Sequence, residues 1–152
     1  MQIKKKTRIA LLATEFHPRI ADQMIAEASK KIEELGGRLA SIIRVPGAYE
    51  IPLVATHLLS EPLLDALVVL GYIEKGETLH GEVMGHVVHT ALMDLQLKYD
   101  KPIGFGIIGP GATEEQALMR IKPVAERAVE AVCKIHELFS NIDNTLRVKS
   151  FN

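Results

Sequence analysis

Short apolar runs alternate with longer amphipathic stretches along the chain. Arg8–Thr14 is an apolar run of the length that a strand buried on both faces needs. Pro18 then stands where a helix can begin, and Gly36 with Gly37 ends the helical pattern that follows. The apolar residues that recur at helical spacing between them are Ile20, Met24, Ala28, Ile32 and Leu35. The pattern therefore predicts a strand followed by a helix.

Three further strand–helix units are predicted in the same way. The strands are Arg38–Val45, the end of Leu63–Ile73, and Pro102–Ile108, and the helices after them are about Tyr49–Leu59, Leu79–Leu97 and Thr113–Phe139. Gln116, three residues after Thr113, predicts a capping box at the start of the last helix. Pro123 predicts that this helix ends early or kinks. Residues 140–152 are predicted to form a polar, flexible C-terminal tail, and residues 1–7 an N-terminal arm.

Strands that alternate with helices predict a parallel sheet covered by helices on both faces, a three-layer α/β/α sandwich. Ligands of such sheets bind in the loops at the carboxyl ends of the strands. A functional site is therefore predicted in four loop segments, which are Glu15–His17, Pro46–Glu50, Glu74–His80 and Gly109–Thr113.

The amino-acid composition suggests that the chain associates with another chain. The 152 residues fit one domain, 1–152, but 47% of them are hydrophobic and the mean hydropathy is +0.13, which is apolar for so small a chain. Surplus apolar surface often lies against a partner chain. The net charge of -1 argues against nucleic acid as the main ligand.

The same composition narrows the expected compartment. No signal peptide is recognisable, and no apolar stretch approaches the ~20 residues of a membrane span, so no membrane partner is predicted. Cys133, the one cysteine, excludes a disulfide framework and fits a reducing compartment. We therefore expect a cytoplasmic protein.

The segment Glu74–His80 carries the clearest chemistry. Gly76 permits a close approach of the backbone to a ligand, Thr78 offers a hydroxyl, and the N–H groups of the helix that begins there attract phosphate. His80 lies just inside that helix and could carry protons beside a bound anion. The alternative is a simple helix cap with a solvated histidine, and both interpretations stay open.

The candidate residues outside this segment also have two interpretations each. Glu50 in Pro46–Pro52 could accept hydrogen bonds from ligand hydroxyls, or simply stabilise a helix N-terminus. Phe16 could stack on a planar heterocycle or staple the helix start. Arg120 and Arg127 could hold phosphate or remain solvated.

The histidines of the third helix do not predict a metal site. His86 and His89 are three residues apart, and only Glu82 stands at a helical spacing from them. That set matches no recognisable metal-ligand spacing.

Taken together, the loop segments resemble the 6,7-dimethyl-8-ribityllumazine synthases. The order and spacing agree from about Arg8 to Leu138, and the Gly-Pro-Gly version of the fourth loop resembles the archaeal branch. The matching segments are Ala13–Ile20 (ATEFHPRI), Val45–Pro52 (VPGAYEIP), Gly71–His80 (GYIEKGETLH), Lys101–Gly106 (KPIGFG) and Gly109–Ala131.

The resemblance implies a flavodoxin-like fold and a transferase of riboflavin biosynthesis. Its members condense 5-amino-6-(D-ribitylamino)uracil with 3,4-dihydroxy-2-butanone 4-phosphate, release phosphate and water, and use no cofactor or metal. It also implies a homo-oligomer of pentamers, decamers or 60-subunit icosahedral shells, with active sites at subunit interfaces and riboflavin synthase as a further partner.

The resemblance also implies roles for individual residues. His80 matches the general acid/base and Arg120 a phosphate-binding arginine. A lysine of the family falls at Glu126 or Arg127, of which Arg127 has the matching charge. Residues implied for the pyrimidine and the ribityl chain are Phe16, His17, Ala48, Tyr49, Glu50, Ile73, Glu74 and, from a neighbouring subunit, Phe105. Residues implied for the phosphate loop are Gly76, Glu77 and Thr78. His17 departs from the asparagine that is common in the family.

Two other functions remain as alternatives. An archaeal-type riboflavin synthase resembles the first strand and the Val45–Gly47 turn, but is not expected to pair Glu50 with His80. A non-catalytic flavin-binding or shell-forming relative is the second. A product assay distinguishes them, because one enzyme makes lumazine and the other makes riboflavin from two lumazines.

Overall fold

A computed structural model describes residues 6–149. The elements are β1 (Arg8–Thr14), α1 (Pro18–Glu34), β2 (Arg38–Val45), a 3-10 turn (Ala48–Glu50), α2 (Ile51–Leu59), β3 (Ala66–Glu74), α3 (His80–Tyr99), β4 (Ile103–Ala112) and α4 (Glu114–Lys149). Both β1 and β2 begin and end at the predicted residues. The predicted N-terminal arm, except residues 6 and 7, lies outside the described residues.

The four strands form one parallel sheet in the order β2-β1-β3-β4. The chain first adds β2 on one side of β1 and then returns to add β3 on the other side. This order confirms the predicted three-layer, flavodoxin-like α/β fold. The reversal between β1 and β3 is the place where such sheets open a crevice for ligands at the carboxyl ends of their strands.

Two hydrophobic cores lie on the two faces of the sheet. Side chains of β1 alternate between them, so Leu11 packs toward α1 and α4 while Leu12 packs toward α2 and α3. The strand β3 is buried on both faces from Ala66 to Ile73. Burial on both faces explains why these strands are continuous apolar runs rather than alternating ones.

The last helix is longer than predicted. The capping box is confirmed, because the Thr113 N–H donates to Gln116 Oε1 at 3.0 Å and the Gln116 N–H to Thr113 Oγ1 at 3.2 Å. However, α4 is a single helix of 36 residues, so the predicted end at Pro123 is wrong. Pro123 deprives the Met119 carbonyl of its helical donor, and the exposed position of Met119 lets water replace that donor.

The predicted end of α4 near Phe139 is also wrong, since residues 140–149 of the expected tail are helical. This segment contains no glycine or proline. Ser140 and Thr145 donate their hydroxyls to helical carbonyls four residues earlier, at 3.2 and 2.9 Å. Among residues 6–149, none of the helices has the length and apolar character that crossing a membrane requires.

The fourth strand also extends further than predicted. Gly109–Gly111, expected in a loop, continues β4, and Ala112 pairs with Glu74 beyond a register shift. Gly109 has a φ of 89°, and a side chain there would collide with the Ile73 carbonyl. The resulting bulge brings Pro110 against α3.

The amino end of the sheet, where the strands begin, is closed by short hydrogen bonds. Arg8 donates through Nε and Nη2 to the two carboxylate oxygens of Asp65, both at 2.9 Å. This hydrogen bonding raises the pKa of the Arg8 guanidinium above its ordinary value. Lys101 Nζ donates to the carbonyls of Leu59 and Glu61, both at 2.8 Å, and so caps the end of α2.

Candidate active site

The loops after β1, β2 and β3 meet at the carboxyl end of the sheet, as predicted. The Glu15 N–H donates to the Val45 carbonyl at 2.7 Å, which ties the first two loops together. All four long helices begin at this end, because each follows a strand and runs back along the sheet. The positive ends of their dipoles therefore favour anionic ligands here.

One group of site residues lies on the α1/α4 side of this end. The Phe16 ring is 49% exposed and meets the His17 ring edge-on, with 4.5 Å between the centroids. The His17 ring lies 5.0 Å from the Tyr72 ring, and His17 Nε2 lies 3.5 Å from Glu74 Oε2. These contacts join the end of β1 to the end of β3, and the exposed Phe16 ring can stack on a flat ligand.

A second group lies on the α2/α3 side. Ala48 is buried and anchors the 3-10 turn, which leaves Tyr49 and Glu50 exposed. The Tyr49 ring lies 6.1 Å from the His80 ring at an interplanar angle of 66°. A Cβ atom at Gly47 would lie 3.2 Å from Glu50 Oε2, so the Glu50 carboxylate sits over the backbone of that turn.

The loop Gly76–Thr78 borders a surface cavity of about 510 Å³ at the start of α3. Thr78 Oγ1 accepts a long hydrogen bond of 3.4 Å from the His80 N–H, and Lys75 is held by its N–H bond to the Ala112 carbonyl at 3.0 Å. The cavity lining is Glu74, Lys75, Gly76, Glu77, Thr78, Leu79, Gly81, Glu82, His86, Pro110 and Gly111. This lining has three carboxylates against one lysine, so a phosphate there needs a further cation.

Three of the predicted site residues lie away from the two groups just described. Phe105 pairs with Val69 in the sheet, roughly 16 Å before Glu74 at ~3.3 Å per residue, and its ring stacks on His89 at 6.0 Å. Arg120 and Arg127 are exposed on α4, which packs on the sheet face opposite α3.

Ile73 is buried, unlike Glu74, which follows it and is exposed. The Ile73 side chain therefore packs in the core, and its backbone is the part that a ligand at the end of β3 could reach. The carbonyl of the next residue, Glu74, lies 3.0 Å from where a Cβ of Gly81 would be. This close approach fixes the start of α3 against the end of β3.

Sequence reasoning did not single out Tyr72. Its hydroxyl donates to the Ala112 carbonyl at 2.7 Å, its ring supports His17, and burial raises its pKa. The usable signal was its spacing of two from Glu74, which places both on one face of β3. Lys75, Pro110 and Gly111 lay inside the loop segments that were predicted to build the site.

The histidines of α3 gather no metal-ligand cluster in the part of the chain that the structure describes. His86 Nε2 lies 4.0 Å from Glu82 Oε1, and no group of three or more His, Cys, Asp or Glu side chains there could hold an ion. His89 uses Nδ1 for a 2.7 Å hydrogen bond with the Gly85 carbonyl.

Comparison with known proteins agrees with the resemblance in the loops. Residues 6–141 match the sequence model of the 6,7-dimethyl-8-ribityllumazine synthase family. A protein of that name from Staphylothermus marinus is 43% identical over 84% of this chain and 85% of its own length. Proteins of the same name from Saccharolobus islandicus and Metallosphaera sedula are 37% and 40% identical, over 96% and 84% of this chain and 95% and 85% of their own lengths.

Proposed function

The chain belongs to the 6,7-dimethyl-8-ribityllumazine synthase family, and we propose that it forms 6,7-dimethyl-8-ribityllumazine in riboflavin biosynthesis. The substrates are 5-amino-6-(D-ribitylamino)uracil and 3,4-dihydroxy-2-butanone 4-phosphate. The observation that carries the proposal is the arrangement at the carboxyl end of the sheet. There, the loop Gly76–Thr78 borders a cavity and leads into His80, with the Tyr49 ring beside the imidazole, and Phe16 is exposed at the end of β1 on the other side of the sheet.

The pyrimidine substrate binds across the ends of β1, β2 and β3. Phe16 stacks on the ring, with His17 beside it, and the backbone of Ile73 and Glu74 faces the ring edge. The segment Ala48–Glu50 holds the ribityl chain, because the exposed Glu50 carboxylate accepts hydrogen bonds from its hydroxyl groups.

The phosphorylated substrate binds at the start of α3. The backbone N–H groups of Gly76, Glu77 and Thr78 and the helix dipole hold its phosphate. Because the cavity lining is acidic overall, a guanidinium from outside this part of the chain is needed. Arg120 supplies it, with Arg127 supporting.

The reaction then needs only proton transfers and orientation. The pyrimidine amine attacks the ketone, and the carbinolamine loses water to give an imine. Phosphate leaves, the ring closes, and a second dehydration gives the product. His80 accepts and returns protons in these steps, while the two binding regions hold the reactants together, which supplies much of the rate.

The active site lies between two subunits of an oligomer built from pentamers. Arg120 and Arg127 lie on α4, on the sheet face opposite α3, and Phe105 pairs with Val69 well before the end of β3, so a neighbouring subunit supplies these three side chains to His80. Unusually exposed apolar side chains are consistent with such contacts; they include Leu53, Leu63, Leu79, Leu97 and Met119. Pairing of pentamers, icosahedral shells, a riboflavin synthase partner and a cytoplasmic location belong to the same proposal.

An assay of the purified protein tests the reaction. The two substrates should give the fluorescent lumazine together with inorganic phosphate. Riboflavin formed from lumazine alone would instead indicate a riboflavin synthase, and lumazine binding without turnover would indicate a non-catalytic relative.

Co-expression of two impaired variants tests the shared site. At a butanone phosphate concentration below the wild-type KM, His80→Ala and Arg120→Ala chains should regain activity when they assemble together, because some mixed sites receive both wild-type side chains. Mixed oligomers that are no more active than the separate variants would contradict the interface site. A solution mass measurement gives the subunit number.

A further inference from the structure

His17 has a backbone conformation that few side chains adopt. Its φ of 52° lies in the left-handed region, where histidine and asparagine are tolerated better than most residues. The conformation is held by the His17 carbonyl, which accepts the N–H groups of Ile20 and Ala21 at 3.0 and 3.1 Å. It fixes the direction in which the imidazole leaves the chain.

The imidazole then contacts groups from two strands. Its edge-on contact with Phe16 comes from its own loop, whereas the Tyr72 ring and the Glu74 carboxylate come from β3. Tyr72 is itself fixed by its hydrogen bond to the Ala112 carbonyl. A chain of contacts therefore runs from β4 through β3 to the ring of Phe16.

We propose that His17 is a positioning residue for the pyrimidine substrate. It holds the Phe16 ring in the orientation that stacks on the pyrimidine, and Glu74 and Tyr72 hold the imidazole in turn. The role rests on the proposed function, since it concerns the binding of that substrate. We expect it to concern the pyrimidine, because the imidazole contacts Phe16, Tyr72 and Glu74, whereas the phosphate is assigned to the loop Gly76–Thr78.

His17→Asn tests what the imidazole ring contributes to substrate binding. Asparagine keeps the left-handed backbone but removes the contacts with Phe16, Tyr72 and Glu74. We expect the KM for the pyrimidine to rise about 3- to 10-fold, as the loss of an aromatic pair contact predicts. The KM for the butanone phosphate should stay within about twofold of wild type on the same reasoning.

Binding of the lumazine product gives a readout that does not depend on turnover. The chain has no tryptophan, so its own emission interferes little with that of the ligand. The Kd of the lumazine should rise in His17→Asn in the same proportion as the pyrimidine KM. The same substitution at His57, an exposed residue of α2 outside the site, should leave both values at wild type.

A double-mutant cycle tests the link to Glu74. Glu74→Gln should raise the pyrimidine KM about 2- to 3-fold in the wild-type background, and much less in the His17→Asn background, because the partner is already missing. If His17→Asn assembles poorly, Glu74→Gln alone should still raise the pyrimidine KM without raising that of the butanone phosphate.

Two results would overturn the role of His17. One is a pyrimidine KM and a lumazine Kd that stay at wild type in His17→Asn. The other is an equal rise of both substrate KM values, which indicates a general disturbance of the site. A wild-type protein that forms no lumazine would instead contradict the proposed function itself.

Discussion

At the amino end of the sheet, charged side chains are held in short hydrogen bonds, whereas at the carboxyl end the side chains of His17, Glu74 and Thr78 make long polar contacts. The Arg8–Asp65 pair and the Lys101 cap have distances of 2.8 to 2.9 Å. At the carboxyl end, His17 and Glu74 are 3.5 Å apart, and the hydrogen bond between His80 and Thr78 is 3.4 Å. At the amino end these side chains are hydrogen-bonded within the chain, whereas at the carboxyl end they can still form hydrogen bonds with ligands.

The direction of the helices explains the difference. The helix C-termini lie at the amino end and present carbonyl groups, which Lys101 satisfies at the end of α2. The helix N-termini lie at the carboxyl end and present N–H groups, which attract an anion. Stability and binding are therefore separated along the strands, and substitutions at the two ends should have separable effects.

The largest effect is expected from His80→Ala at the carboxyl end. We expect kcat to fall about 100-fold, the low end of the 10²–10⁴ range of general acid–base catalysis, because orientation of the substrates is retained. Steady-state kinetics with both substrates measures this. His57→Ala serves as the control, since it removes an exposed histidine outside the site.

If His80→Ala abolished turnover as completely as a loss of substrate binding would, this would contradict the proposal that orienting the two substrates supplies much of the rate. The melting temperature should not change, since the His80 side chain is exposed and the substitution keeps the backbone N–H that bonds to Thr78.

Arg120→Ala should come next. We expect the KM for the butanone phosphate to rise about 10-fold or more, as loss of a charge-assisted hydrogen bond predicts, while the pyrimidine KM changes little. Arg38→Ala, at the amino end of β2, is the matched control and should leave both KM values unchanged. An unchanged KM for the phosphorylated substrate in Arg120→Ala would exclude its phosphate role.

Asp65→Asn should lower stability and leave the kinetic constants unchanged, because it acts at the amino end of the sheet. It removes the charge that pairs with Arg8, so the melting temperature should fall by several degrees. The KM values and kcat of the folded protein should stay close to wild type. A selective change in the KM of one substrate, at unchanged stability, would contradict the separation of the two ends.

Much of this arrangement could be predicted from the sequence because local signals mark it. Gly36 and Gly37 precede β2, Pro46 and Gly47 follow it, and the loops after the strands could be placed by the rule for parallel sheets. The length of α4 could not, since a polar segment without helix breakers, such as residues 140–149, is ambiguous by composition alone. The extension of β4 depends on its pairing with Glu74, which is distant in sequence.

The site was predictable in the same uneven way. The candidate residues of the first three loops were found from their positions, but Tyr72 needed the register of β3 to place it beside His17. The role of Phe105 came from the resemblance alone, whereas Arg120 was also a phosphate candidate from its residue type. Phe105 lies within the sheet, and Arg120 lies on α4, on the face opposite α3. Local patterns say little about which groups a neighbouring subunit would bring to a site.

The smallest effect is expected from the ion pair between α1 and α4. Lys31 Nζ lies 2.8 Å from Glu130 Oε1, and this hydrogen bond lowers the pKa of Glu130 and raises that of Lys31. Folding is therefore favoured fully above the ordinary Glu value of 4.5 and below the ordinary Lys value of 10.5. The contribution disappears as the pH falls through the lowered Glu130 pKa or rises through the raised Lys31 pKa.

Glu130→Gln should consequently melt slightly below wild type at neutral pH and at the same temperature as wild type in acid, because protonation removes the pair from both. The difference should be small, since both side chains reach solvent and water screens the pair. Melting curves from pH ~7 down to ~3 measure it, and Lys31→Met should show the same convergence. A gap that widened toward acid pH would show that Glu130 is stabilised in its protonated form instead.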